Sequence, residues 1–111
     1  MALDYLERIR GERPDFRPEA VSLLVARCLA GTSRAQQART EFESAIERFG
    51  TYESKAEYAI WALAIGDTAT AERLDADLNK TSQRWNALTR DLNAAVERRY
   101  RAARSLAQQR A

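Results

Sequence analysis

Residues 38–45 read Ala-Arg-Thr-Glu-Phe-Glu-Ser-Ala, which sets Ala38, Phe42 and Ala45 at i, i+4 and i+7. That spacing lays a small, a large and a small side chain along one stripe of a helix. The layout recurs in Ala2, Leu6 and Ile9 near the start of the chain. Ala71 follows Ala38 by thirty-three residues, and Ala59 follows Ala26 by the same interval. A helix-pair repeat of about 34 residues produces such a period. A repeat without a catalytic constellation points to a binding surface.

Composition supports helices. The chain has 111 residues, of which 45% are hydrophobic and 31% charged, with only four glycines and two prolines. Turn-rich β architectures need more breakers, and the abundance of Ala, Leu, Arg and Glu favours helix. The expected fold class is therefore all-α, in one domain spanning 1–111. Histidine is absent, which removes the commonest general base and the commonest metal ligand from the chemistry this chain can do. Cys28 is the single cysteine, so an internal disulfide is excluded and a reducing compartment is compatible. Flanked by Ala26 and Leu29, it reads as a small buried residue rather than a reactive thiol. No apolar run approaches the roughly 20 residues of a membrane span, and the N-terminus lacks a signal-peptide layout.

Read along its length, the sequence predicts a short helix over 2–10, stopped by Gly11 and Pro14. A second begins at Pro18, a residue suited to a first helical turn, and closes at Gly31. A third spans 34–48 with Thr32 or Ser33 as N-cap, and a fourth spans 52–65 behind Thr51. The turn Gly66-Asp67 leads to a fifth, through about Asn79. From Ser82, the residues Trp85, Leu88, Leu92, Val96, Tyr100, Ala103 and Leu106 recur every three or four positions, predicting one long amphipathic helix over 82–107.

The pair 18–49 resembles a tetratricopeptide (TPR) repeat, through Val25-Ala26 and Leu29 in its first helix and Ala38, Phe42 and Ala45 in its second. The pair 52–79 is similar, with Tyr58-Ala59, Ala62, Gly66-Asp67, Ala71, Leu74 and Leu78. Small residues at Ala26, Ala38, Ala59 and Ala71 let helix axes approach closely, and Phe42 or Leu74 fills the space beside them. Three positions depart from the family: Ser22 and Lys55 stand near its tryptophan, Gly50 replaces its helix-ending proline, and the aromatic of the second unit falls near Asp75. The resemblance implies antiparallel helix pairs in a right-handed α-α superhelix, with 2–10 as a half repeat and 82–107 as a long C-terminal capping helix covering the 52–79 pair. The half repeat suggests a piece of a longer array, similar to the C-terminal part of bacterial TPR proteins. Those carry an N-terminal membrane anchor, with the repeats in the cytoplasm.

The resemblance also implies a function, non-catalytic protein–protein interaction as a scaffold or adaptor. The family's groove positions map onto Leu23, Arg27, Glu53, Ala56, Ile60 and Leu63, a mixture suited to a protein or peptide partner. A capping or opening helix could equally occupy that face. Charge offers a second reading. Residues 82–111 hold seven arginines against two acids, Asp91 and Glu97, a net +5. Arg98, Arg99, Arg101 and Arg104 would suit RNA or an anionic membrane surface, or else form a solvated helix face paired with neighbouring acids. Self-association through an exposed stacking surface is a third reading. Trp61 and Trp85 are expected in the core. The acid pairs Glu41/Glu43 and Asp75/Asp77 stand two apart and do not face one another on a helix. No Gly-rich phosphate loop is present. The expectation is no enzyme, no metal and no cofactor.

Overall fold

Seven helices run through residues 2–110, the residues that the computed structural model describes, and no strand occurs among them. They are α1 (Ala2–Glu12), α2 (Pro18–Gly31), α3 (Ala35–Phe49), α4 (Tyr52–Ile65), α5 (Thr68–Ser82), α6 (Ala87–Leu92) and α7 (Ala94–Arg110). The chain is all-helical. Its helices gather into two compact units divided between Gly50 and Thr51.

In the first unit α2 packs against α3, and α1 lies on α2. Proline opens α2, where its missing N–H costs nothing. Gly50 ends α3 in the left-handed region at φ 61°, a conformation that glycine adopts without steric strain. The core is Val21, Leu23, Val25, Ala26 and Leu29 of α2 against Ala38, Phe42 and Ala45 of α3, all buried. Helix α1 contributes no fully buried residue; Leu3, Leu6 and Ile9 are half-buried, and Arg10 bonds Glu41 of α3 at 2.7 Å.

The second unit pairs α4 with α5 and lays α7 along α4. The Thr51 hydroxyl accepts from the Ser54 N–H, and the Asp67 carboxylate accepts from the Thr70 N–H, so a side chain caps each helix. Between them Gly66 closes α4 at φ 78°. Tyr52, Ala56, Tyr58, Ala59 and Ala62 are buried on α4, Ala71, Leu74 and Leu78 on α5, and Val96 and Tyr100 on α7.

Burial follows the thirty-three-residue spacing. Thirty-three residues separate Val21 from Ser54, Leu23 from Ala56, Val25 from Tyr58, Ala26 from Ala59, Leu29 from Ala62, Ala38 from Ala71 and Ala45 from Leu78, and both members of every pair are buried.

Four expectations need correction. Helix α5 runs on to Ser82, so Ser82 ends a helix rather than starting one. The segment expected as one helix over 82–107 is broken twice. Asn86 sits in extended backbone and caps α6 by accepting from the Thr89 N–H at 2.8 Å. Asn93 then separates α6 from α7, its amide donating to the Thr89 carbonyl at 2.9 Å. Asparagine amides compete with the helical backbone for partners, and the apolar period carries no trace of that competition. The break leaves Leu88 and Leu92 at 67% and 76% exposure, so they do not cover the α4–α5 pair as expected. The third helix likewise starts behind Arg34, with no side-chain cap. The Thr32 hydroxyl instead donates back to the carbonyls of Cys28 and Leu29.

Candidate functional site

The groove candidates divide by burial. Leu23 and Ala56 occupy equivalent buried positions one period apart, where no ligand reaches them. Arg27 in the first unit and Glu53 in the second are exposed, and Ile60 and Leu63 are half-buried on α4. Leu63 alone of the six lines a sizeable cavity.

That cavity is a cleft of about 550 Å³ at the end of the second unit, where α4 turns into α5 and the last turns of α7 come alongside. Leu63, Ile65 and Ala71 form one wall, and Arg104, Ala107 and Arg110 of α7 form the other. Ile65 stands 49% exposed at its edge because the left-handed Gly66 terminates α4 immediately after it, before another helix turn can cover it. Sequence reasoning missed Ile65, Ala107 and Arg110. The one available signal was an isoleucine directly before a helix-ending glycine.

The basic candidates are mostly engaged. Arg99 bonds Glu57 of α4 at 2.7 Å, and Glu57 is itself buried. Arg101 pairs with Glu97 one turn back at 3.2 Å. Arg104 reaches Asp75 at 3.3 Å and Glu72 at 3.7 Å, both on α5. Only Arg98 has no ion pair among the described residues. The bonds of Arg99 and Arg104 hold α7 to α4 and α5, together with the Tyr100 hydroxyl, which donates to the Asp75 carboxylate. Burial pushes the Tyr100 phenol well above its ordinary range, and the bond to Asp75 pushes it further. Tyr52 is raised as well, first by burial and then by the negative charge of Glu97.

The tryptophans are half-buried rather than enclosed. Trp85 meets Tyr52 edge-on with centroids 4.5 Å apart, and the Arg90 guanidinium lies 5.6 Å from its ring. Trp61 stacks beside Tyr58 at 6.0 Å. Cys28 is half-buried. Among the described residues no group of His, Cys, Asp or Glu side chains gathers in a metal-holding arrangement, and no helix is long and apolar enough to cross a membrane.

No protein-family model matches this chain, and neither does any curated protein or solved structure. The functional reading therefore rests on the residues themselves.

Proposed function

We propose that this chain is a non-catalytic protein-interaction module built from two degenerate TPR-type helix pairs, and that it receives a peptide in the cleft between α4, α5 and α7. The observation that carries this reading is the cleft itself. It has about 550 Å³ of space, apolar walls from Leu63, Ile65, Ala71 and Ala107, and arginines on one side. That size and lining suit one apolar anchor side chain of a partner, with polar groups at the rim for orientation. The seven buried pairs separated by thirty-three residues support the repeat reading. Engagement of Arg99, Arg101 and Arg104 with acids of the chain itself argues against RNA or membrane binding as the main function.

The test is panning of the full chain against a displayed random-peptide library. Enriched peptides should share an apolar anchor, and their amide-shift footprint should centre on Leu63, Ile65 and Ala107. Ile65→Glu, at a half-exposed position that tolerates charge, should weaken their binding by about tenfold or more. Absence of enrichment, or binding indifferent to Ile65→Glu, would overturn the proposal.

A further inference from the structure

A second pocket lies in the first unit, where the loop between α1 and α2 meets the last turn of α3. The Phe16 N–H donates to the Arg13 carbonyl at 3.0 Å and folds this loop into a turn. Arg17 completes it in the left-handed region at φ 40°, a conformation uncommon outside glycine. The enclosed space is about 60 Å³. Arg10, Arg13 and Arg48 line it, the other walls are Phe16, Val21 and two prolines, and no acid takes part.

The three guanidiniums differ in what answers their charge. Arg10 bonds Glu41 at 2.7 Å and Glu7 at 3.1 Å, so its charge is met and its position is fixed. Those bonds leave other N–H groups of its guanidinium to donate elsewhere. No carboxylate pairs with Arg13 or Arg48 among the described residues. Each lies near a ring instead, Arg13 at 5.8 Å from the Phe16 centroid and Arg48 at 4.9 Å from that of Phe49. A ring face holds a guanidinium without neutralising it, and the in-plane N–H groups stay open to an oxyanion. The pocket thus presents two uncompensated positive charges beside a third, fixed donor.

Size and charge select the ligand. A space of about 60 Å³ is roughly twice a water molecule's share of the liquid, room for one tetrahedral oxyanion. Two positive charges match the dianion of a phosphate monoester, and the guanidinium forks match its paired oxygens. A polyanion fits poorly. Residues 1–50 hold eight arginines and eight acids, so the unit as a whole offers it no net attraction. Glu12, Asp15 and Glu19 each adjoin a lining residue in sequence, where they oppose a nucleic-acid backbone or an anionic bilayer laid across the mouth.

We propose that Arg13 and Arg48, with Arg10 beside them, bind the phosphoryl group of a phosphate monoester. This pocket belongs to the first unit and the peptide cleft to the second, so either site can fail alone.

The probes are phenyl phosphate, benzoate, a single-stranded oligonucleotide, and a phosphoserine peptide library with its unphosphorylated counterpart, each offered to the full chain at low salt. Phenyl phosphate should bind saturably, with amide shifts centred on residues 10–18 and 46–50. Benzoate keeps the ring but carries one negative charge, and should bind at least about tenfold more weakly. Arg13→Gln and Arg48→Gln should each weaken phenyl phosphate by about tenfold, with little change in the thermal midpoint, since both side chains are exposed and without an ion pair. Arg98→Gln, which removes an exposed arginine of the second unit, should leave binding unchanged. The peptide library separates the sources of the group: enrichment over the unphosphorylated library places it on a protein side chain, and no enrichment places it on a small molecule. Four results overturn the proposal: no saturable binding of phenyl phosphate, equal binding of benzoate, a loss in Arg98→Gln as large as in Arg48→Gln, and tighter binding of the oligonucleotide than of phenyl phosphate.

Discussion

The two units carry the same buried frame and finish it by different chemistry. In the first, Phe42 of α3 closes the helix pair with hydrocarbon and is 1% exposed. Thirty-three residues later the second unit has Asp75, and its carboxylate is met by the Tyr100 hydroxyl and the Arg104 guanidinium of α7. Leu74, one residue earlier, supplies the apolar filling there. One unit is sealed by a ring of its own. The other places a charge at that position and uses it to hold a third helix. The added helices reflect this difference. Helix α1 only half-buries Leu3, Leu6 and Ile9 and is also fastened through Arg10, whereas α7 fully buries Val96 and Tyr100 and adds a set of directed bonds. The position thirty-three residues after Phe42 is thus where the second helix pair acquires a third helix.

The comparison breaks most sharply at Phe42. Phe42→Asp would give the first unit the second unit's residue in place of its buried ring. The expected cost is about 4 kcal/mol or more, from the lost ring and the burial of a carboxylate. Thermal unfolding followed by circular dichroism would show it, and limited proteolysis should place the first cuts in α1–α3. Phe42→Leu, which keeps most of the volume, should cost about 1 kcal/mol. Equal effects of the two substitutions would mean that the position is not sealed as described.

The converse exchange, Asp75→Phe, should cost about 3 kcal/mol, because it strands the Tyr100 hydroxyl, takes from Arg104 the nearer of its two acids and overfills the site. Asp75→Asn keeps an acceptor for Tyr100 and should cost about 1 kcal/mol. Under chemical denaturation, loosening of α7 should appear as early exposure of its amides to hydrogen exchange. A stabilising Asp75→Phe would show that the polar cluster adds nothing to holding the helix.

How legible this contrast is depends on the range of the signal. Helices α2 to α5 can be read because their determinants are local: the apolar period, Pro18, Thr51, Asp67 and the glycines at 50 and 66. The two breaks in the C-terminal segment are also local, but they arise from asparagine amides whose pull on the backbone competes with a strong apolar period, and the period alone predicts one helix. The anchoring of α7 is not local. Tyr100 and Asp75 are twenty-five residues apart, and Arg99 and Glu57 forty-two, so no spacing on one helix announces either bond. The cleft was half visible for the same reason: Leu63 belongs to a helix pattern, while Ala107 and Arg110 enter through tertiary placement.

The Tyr100–Asp75 bond sharpens the comparison through pH. Because folding raises the Tyr100 phenol above its unfolded value near pH 10, its contribution is complete below about pH 10 and is lost as pH climbs beyond that. The second unit should therefore lose stability in alkali while the first, sealed by Phe42, shows no counterpart of this bond. Tyr100→Phe should cost about 1.5 kcal/mol at neutral pH, the worth of a hydrogen bond to a charged acceptor, and should flatten the alkaline decline. Tyr52, raised in the same direction, accounts for part of the slope that remains. Thermal midpoints measured from neutral pH upward decide it. An undiminished alkaline decline in Tyr100→Phe would remove this bond as its source.

The smallest expected effect lies at the other added helix. Glu41→Gln weakens the 2.7 Å bond from Arg10, whose other partner, Glu7, is on α1 itself. Burial alone would lower the pKa of Arg10, but the bonds to Glu41 and Glu7 outweigh it and leave it raised, so the guanidinium stays charged across the accessible pH range. The loss should be about 0.5 kcal/mol, since Arg10 is partly solvated and water replaces much of what Glu41 supplies. It should shrink further in high salt, where screening weakens the pair, whereas the cost of Tyr100→Phe should scarcely change with salt because the buried Tyr100 hydroxyl carries no charge. A salt-insensitive loss at Glu41 equal to that at Tyr100 would mean that α1 and α7 are fastened alike. The contrast between a helix held by solvated charge and one held by an enclosed hydroxyl would then not stand.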